Sequence, residues 1–156
     1  MIVYKDIVGN NEVLSKAYID KEEEFFYVCK GKLILPDIED GTNPEEVEKV
    51  IDIPYKLSLE EIEGFDKKMF MSAMKAVMKH TTKKLKKTMD EEALKAWKTK
   101  FAAWIDTFVK NEFGDCTFYS HMSVENWDEN YIIICKWVEA DPFFYYLKDA
   151  LKEEKY

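Results

Sequence analysis

The feature that most constrains this chain is a pair of amphipathic segments between residues 66 and 112. In the second segment, apolar residues recur every three or four positions, which places them in a narrow seam along one side of a helix. They are Leu94, Trp97, Phe101, Trp104 and Phe108. In the first segment, Phe70, Met74, Val77, Met78, Thr81 and Leu85 share one helical face. Two such segments in close succession predict an antiparallel αα-hairpin over about residues 66–112.

Capping residues indicate where the two helices of this hairpin begin. Asp66 directly precedes the first periodic segment and is a good N-cap. The run Thr88-Met89-Asp90-Glu91 has the pattern of a capping box, which predicts that the second helix restarts there. The two helices would then be joined by only two or three residues.

Short β-strands are predicted on both sides of the hairpin. Runs rich in aromatic and β-branched residues are bounded by turn residues such as Gly9, Gly31 and Gly114. The predicted strands are residues 2–7, 25–29 paired with 33–35, 50–55, 117–121, 131–137 and 143–147. This order of strands, helical hairpin and strands predicts an α+β fold in which N-terminal and C-terminal strands share sheets.

Charge is distributed unevenly along the chain. Residues 1–63 have a net charge of -9, and residues 64–88 have a net charge of +7, within a total of -8. All 23 basic residues are lysine, so the chain contains no arginine. Arginine is the residue that contacts guanine most often and that grips phosphates with a planar fork. Its absence therefore argues against sequence-specific nucleic-acid binding and against any mechanism that needs an arginine finger.

The lysines of the first helix have two interpretations. Lys75, Lys79, Lys83, Lys86 and Lys87 fall largely outside the apolar face of that helix. They could form an ordinary solvated face, whose lysine stems cover apolar surface. They could instead form a docking face for a polyanion such as a tubulin tail, an anionic membrane or RNA. Both interpretations remain open at the level of the sequence.

An acidic segment over about residues 36–49 is predicted to be a mobile loop. It contains six carboxylates between Asp37 and Glu48, with Gly41 and Pro44 as breakers of regular structure. The spacing of its acidic residues resembles a calcium loop only loosely. We therefore expect weak attraction of calcium at most, and no defined metal site or tightly bound cofactor.

The sequence offers little to support an enzyme. Cys29, Cys116 and Cys135 are far apart, so a four-ligand zinc site is not expected, and buried thiols in a reducing cytosol are favoured. His121 could pair with a nucleophile, but no motif supports it, and there is no phosphate-binding loop. No apolar run approaches the roughly 20 residues of a membrane span, and charge at Lys5 argues against a signal peptide.

The ordered sequence of these motifs resembles the translationally controlled tumour protein family. The likeness begins with MIVYKDI at residues 1–7 and continues through residues 11–18 and 31–33 and the run Gly41-Thr42-Asn43-Pro44-Glu45. It then covers residues 50–53, residues 65–68 at the start of the hairpin, and residues 141–156 at the end. The chain departs from the family pattern at Glu45, at His121 and at Ala150, and its acidic loop is shorter.

The resemblance implies a single domain over residues 1–156. It implies a β-tent of short strands, like that of chaperones of nucleotide-free Rab proteins, with the helical hairpin inserted. The family is non-enzymatic and is linked to small GTPases, translation elongation factors, tubulin, calcium and anti-apoptotic proteins. An acidic residue matching Glu12 is implicated in its contact with GTPases.

The leading hypothesis is therefore a monomeric cytoplasmic interaction protein, an adaptor or chaperone of cell-growth control. It would bind a small GTPase or a translational GTPase through the acidic face that carries Glu12. The alternative hypothesis is binding of tubulin, microtubules or another polyanion through the lysine-rich helix, with weak calcium binding.

Overall fold

A computed structural model of the chain describes residues 1–125 and 130–156. Its helices are α1 (Asp52–Leu57), α2 (Lys67–Leu85) and α3 (Glu91–Asn111). Its strands before α2 are β1 (Ile2–Asp6), β2 (Glu12–Ser15), β3 (Lys21–Glu22), β4 (Phe26–Lys30), β5 (Leu33–Ile34), β6 (Val50–Ile51) and β7 (Leu59–Glu61). The strands after α3 are β8 (Cys116–His121), β9 (Ile133–Val138), β10 (Asp141–Leu147) and β11 (Leu151–Lys155).

Three antiparallel sheets organise these strands. The largest has the order β3-β4-β10-β9-β8-β7, a smaller sheet has the order β11-β1-β2, and β5 pairs with β6. Strands from the two ends of the chain therefore pair in both larger sheets, as the sequence predicted. The combination of antiparallel sheets with a helical hairpin confirms the α+β fold class.

The helical hairpin covers one face of the six-stranded sheet. Phe70 near the start of α2 lies 5.3 Å, centroid to centroid, from Phe108 near the end of α3, as expected for antiparallel helices. Phe70 also packs 5.6 Å from Phe118 of β8, and Phe26 of β4 packs 4.7 Å from Trp104 of α3. The predicted apolar seam is therefore the layer that joins the hairpin to the sheet, and burial of its aromatic rings stabilises that contact.

The opposite face of the six-stranded sheet packs against the remaining strands. Successive side chains along a strand point to opposite faces of the sheet. Since Phe26 faces the hairpin, Tyr27 faces away from it, and so does Phe144 on β10. The ring of Tyr27 lies 5.5 Å from that of Tyr4 on β1, and the ring of Phe144 lies 5.4 Å from that of Tyr119. Strands β4 and β10 are consequently buried on both faces over most of their length.

The predicted pairing of residues 25–29 with residues 33–35 is wrong. β4 pairs with β3 and β10, whereas β5 pairs with β6. Gly31 separates them because its backbone N–H donates to Pro142 O at 2.7 Å, which ties the end of β4 to β10. A Cβ atom at Gly31 would lie only 3.0 Å from the ring of Phe144, so this close approach favours glycine.

The predicted strand over residues 50–55 is wrong beyond Ile51. The chain turns into α1 at Asp52, whose buried carboxylate accepts hydrogen bonds from the N–H groups of Lys32 (3.0 Å) and Ile53 (2.8 Å). Pro54 is tolerated because it lies in the first turn, where no intrahelical N–H is needed. Ser58 ends the helix in the left-handed conformation, with φ of 57°.

The predicted N-cap is correct for α2 and wrong for α3. Asp66 caps α2 by accepting from Met69 N at 2.8 Å, as predicted. The cap of α3 is Asp90, which accepts from Ala93 N at 2.8 Å, and the predicted role for Thr88 is wrong. The Thr88 hydroxyl donates to Leu85 O instead, so five residues rather than two or three join the helices.

Candidate interaction surfaces

Glu12 lies at the first position of β2, directly after a tight turn that leads out of β1. Its side chain is exposed and, among residues 1–125 and 130–156, forms no ion pair within 4 Å. Lys5 is its cross-strand neighbour on β1. The structure therefore presents Glu12 as an available carboxylate at the edge of the three-stranded sheet.

The turn before Glu12 is organised around the buried carboxylate of Asp6, which is 2% exposed. One carboxylate oxygen accepts from Gly9 N, and the other accepts from Asn11 N at 3.1 Å. The backbone of Asp6 also pairs with Asn10 N and Asn11 O, each at 3.0 Å. These bonds stabilise Asn10 in the left-handed conformation, with φ of 59°, and thereby fix the direction in which Glu12 leaves the turn.

A second set of contacts joins this turn to the end of β8. The Ser123 hydroxyl donates to Asn11 Oδ1 at 2.9 Å and lies 2.8 Å from His121 Nδ1. The same ring nitrogen accepts from Ser123 N at 3.2 Å. His121 and Ser123 thus touch, and their contacts attach the end of β8 to the turn before Glu12.

Charges around Glu12 form a small alternating array. Lys5 Nζ lies 3.2 Å from the carboxylate of Glu154 on β11, on the side of β1 opposite to Glu12. The hydrogen bond with Glu154 raises the pKa of Lys5, and Glu12 adds a smaller effect in the same direction. Lys5 is paired with Glu154, so Glu12 rather than Glu154 is the carboxylate that a partner could use.

The predicted basic residues form a second surface on the outer side of the hairpin. Lys75, Lys79 and Lys83 are exposed on α2, and Lys86 and Lys87 lie just beyond its end. Four of them, Lys87 excepted, line one shallow groove together with Met78, Thr82 and Lys98 of α3. In the described part of the chain none of these lysines forms an ion pair, so the groove is a concentrated positive surface.

Lys84 belongs to the same helix but faces the other way. Its Nζ donates to the backbone carbonyls of Asp149 (3.2 Å) and Leu151 (2.7 Å), and burial lowers its pKa. Trp97 of α3 donates its indole N–H to the Asp149 carboxylate at 3.0 Å. These contacts attach the hairpin to the segment between β10 and β11.

The acidic segment over residues 36–49 contains exposed carboxylates that are spread along the chain. Its regular structure is one 3-10 turn, Pro44–Glu46, in which Asn43 accepts from Glu45 N at 3.0 Å. Within residues 1–125 and 130–156, no three histidine, cysteine or acidic side chains converge on a point that could hold a metal ion. Calcium binding, its weakness and the mobility of the segment therefore remain predictions.

The three thiols lie in strands of the six-stranded sheet or at its edge. Cys29 and Cys135 are fully buried, and burial raises the pKa of Cys29 to about 12 and that of Cys135 to about 11. Cys116 is half-buried, and burial raises its pKa to about 11. The thiols are therefore protonated at neutral pH, as structural cysteines are.

In the described residues, no helix is long and apolar enough to cross a bilayer.

Comparison with known proteins identifies the family. Residues 1–152 match the family model described as translationally controlled tumour protein. The chain belongs to the translationally controlled tumour protein family. A relative from Saccharomyces cerevisiae, described as a translationally-controlled tumor protein homolog, is 29% identical over 172 aligned positions that cover 99% of each chain.

A solved structure supports the fold independently. The Translationally Controlled Tumor-associated Protein p23fyp from Schizosaccharomyces pombe superposes with a TM-score of 0.77 at 24% identity, covering 100% of both chains. At this identity the likeness concerns the fold, and it covers the hairpin and the sheets together. The resemblance inferred from the sequence is thus confirmed, including its extent along the chain.

Sequence reasoning placed Glu12 and the five lysines on exposed surfaces but missed the residues that position them. Asp6 looked like an ordinary strand charge, and only its proximity to Gly9 and Asn11 hinted at a turn. Lys84 could have been separated from the exposed lysines, because it follows Thr81 by three residues and Val77 by seven, on the buried face. Lys98 was missed because it comes from the other helix.

Proposed function

We propose that this protein is a non-enzymatic cytoplasmic interaction protein that binds a GTPase through the surface around Glu12. The GTPase would be a small GTPase or a translational GTPase such as an elongation factor. The protein would act as an adaptor or as a chaperone of the nucleotide-free state.

One observation carries this proposal. Glu12 has no ion pair within the described residues 1–125 and 130–156, and it directly follows a turn whose backbone is fixed by Asp6. A backbone that is fixed before binding loses little conformational entropy when a partner arrives. A nucleotide-free GTPase offers cationic groups in its empty phosphate site, and one carboxylate could pair with its phosphate-binding lysine. Membership in the family supports the same surface.

The direct test is binding of purified GTPases with and without nucleotide. Glu12→Lys should reduce affinity for the nucleotide-free form at least tenfold, because it replaces an attractive charge by a repulsive one. Thermal stability should stay nearly unchanged, since the side chain is exposed. Glu12→Gln separates loss of charge from charge reversal and should give a smaller reduction.

Glu60→Lys is the matched control. Glu60 is an exposed acid on β7, in a different sheet, and its reversal changes the net charge of the protein by the same amount. Equal affinity of the Glu12→Lys and Glu60→Lys variants for every GTPase tested would contradict the proposal. Addition of magnesium and nucleotide should release the GTPase from the parent protein.

The lysine groove favours a second candidate function. Its lysines, which form no ion pair within the described part of the chain, could bind tubulin or another polyanion through non-specific attraction that salt screens. Replacing Lys79, Lys83, Lys86 and Lys87 by Glu should abolish co-sedimentation with microtubules at low salt. Unchanged pelleting of that variant would reject this function.

The acidic segment over residues 36–49 would attract calcium only weakly. A calorimetric titration at millimolar calcium should give a small, unsaturated signal that disappears when Glu45, Glu46 and Glu48 are replaced by Gln. A flat titration of the parent protein would remove calcium from the account.

A further inference from the structure

A cleft separates α3 from the six-stranded sheet at a place that neither candidate function uses. Register places Tyr145, Ile134 and Cys116 on the face of the sheet that points towards the hairpin. Phe26 of β4 lies on the same face of the sheet, and Trp104 of α3 closes the cleft from the helix side. Its volume is about 240 Å³. Pockets for drug-sized ligands have volumes of about 300–1,000 Å³, so this cleft is the size of a single side chain.

The walls of the cleft are aromatic. Phe26 lies 4.7 Å from Trp104 and 6.1 Å from Tyr145, in an edge-to-face arrangement with the latter. Phe108 stacks on Trp104 at 5.0 Å and forms the floor. Trp104 and Tyr145 keep part of their surface exposed, although the rings around them are buried. Such a wall favours a flat group or a weakly hydrated cation.

The rim of the cleft is polar and carries two carboxylates against one lysine. Glu112 is already paired with Lys136 at 2.9 Å. Among residues 1–125 and 130–156, the Glu23 carboxylate forms one ion pair, with Lys21 at 3.5 Å; both side chains are largely exposed, so their attraction is weak. Burial raises the pKa of Tyr145, and Glu23 is the charge that raises it most. The Glu23 carboxylate and the Tyr145 hydroxyl therefore face the same part of the cleft.

We propose that this cleft binds an arginine side chain of a partner protein. The guanidinium would stack against the exposed rings of Trp104 and Tyr145 and donate to the carboxylate of Glu23. Arginine fits better than lysine because its cation is planar, less strongly hydrated and able to form two parallel hydrogen bonds to one carboxylate. The chain has no arginine of its own, so a second molecule must supply it. This site is separate from Glu12 and does not require a GTPase.

The test titrates the isotope-labelled protein with three capped tripeptides and follows the indole N–H signals by NMR. The peptides are glycine-arginine-glycine, its lysine analogue and its citrulline analogue, which keeps the shape of arginine without its charge. The Trp104 signal should shift in a saturable way with the arginine peptide at millimolar concentration. The lysine peptide should bind roughly fivefold more weakly, and the citrulline peptide should cause no saturable shift.

Glu23→Gln and Glu24→Gln form a matched pair of variants. Glu24 is the next residue, but its carboxylate points to Lys100, 3.8 Å away, and does not line the cleft. Glu23→Gln should lower the affinity for the arginine peptide roughly fivefold, whereas Glu24→Gln should leave that affinity unchanged. Equal weakening by both variants would indicate a general effect of charge and would overturn the proposal.

Alkylation of Cys116 gives a second readout that needs no variant. Cys116 forms part of the cleft wall and is half-buried, whereas Cys29 and Cys135 are fully buried. The arginine peptide should slow the reaction of Cys116 with iodoacetamide at pH 9 at least twofold, and the citrulline peptide should not. Absence of protection, equal effects of arginine and citrulline, or a shift of Trp137 instead of Trp104 would each contradict the proposal.

Discussion

The turn that carries Glu12 and the lysine groove of α2 are both charged surfaces, but they are built differently. The backbone of the turn is fixed by the buried carboxylate of Asp6 and by the contact between Asn11 and Ser123. The lysines of the groove share a surface without any ion pair among the described residues. A charge that follows a fixed backbone can select a partner by geometry, whereas exposed lysines on a shallow groove attract any polyanion. This difference is why the turn is the better candidate for specific binding.

The largest expected effect concerns the support of the turn. Asp6→Ala removes the acceptor of two backbone N–H groups in a buried place, so it should cost about 3 kcal/mol of unfolding free energy. Lys83→Ala, on the exposed groove, should change stability by less than about 0.5 kcal/mol. Urea unfolding of both variants measures the contrast. A cost below about 1 kcal/mol for Asp6→Ala would mean that the turn is not fixed by this residue.

The next effect separates two lysines of one helix. Lys84→Gln should cost about 1–2 kcal/mol, because its ammonium donates to two backbone carbonyls. Burial lowers the pKa of Lys84 in the folded protein, so the unfolded chain binds the proton more tightly. The parent protein therefore gains stability as the pH rises through the folded pKa towards 10.5, and the cost of Lys84→Gln should grow over that range.

Chemical denaturation of the parent and of Lys84→Gln at pH 7 and at pH 10 measures this difference. Lys86→Gln is the control, since Lys86 is exposed and its side chain, unlike its backbone N–H, makes no hydrogen bond among the described residues. A cost for Lys84→Gln that shrinks with rising pH would contradict the assigned direction.

The smallest expected effect on stability tests whether the lysines of the groove repel one another. Lys79 lies four residues from both Lys75 and Lys83, and like charges at this spacing repel by about 0.2–0.5 kcal/mol per pair. Lys79→Gln should therefore raise stability by up to about 0.5 kcal/mol at low salt, with no gain at 0.5 M salt. Loss of stability at low salt would show that Lys79 has an attractive partner.

The sequence predicted most of the elements because their signals are local. The seam from Leu94 to Phe108 and the cap at Asp66 are determined within a few residues, and both helices formed as expected. The failures involve distant partners. Asp52 starts a helix because its carboxylate meets Lys32 N, and β4 pairs with β10 across more than 100 residues. Periodicity carries no information about such contacts.

The candidate sites were predictable to the same extent. Exposure of the lysines followed from their helical positions, and Glu12 followed from the family resemblance. The burial of Asp6 could not be predicted from the sequence, because a carboxylate within a strand is ordinarily a surface residue. The cleft beside Trp104 could not be seen either, since its residues come from α3 and from four strands or their flanking turns.

Hydrogen–deuterium exchange of this protein with and without a nucleotide-free GTPase tests the central claim most directly. The account predicts slower exchange at residues 9–15, around Glu12, and unchanged exchange at residues 75–87 of the lysine groove. Slower exchange confined to residues 75–87 would show that the groove, and not the turn, is the GTPase-binding surface.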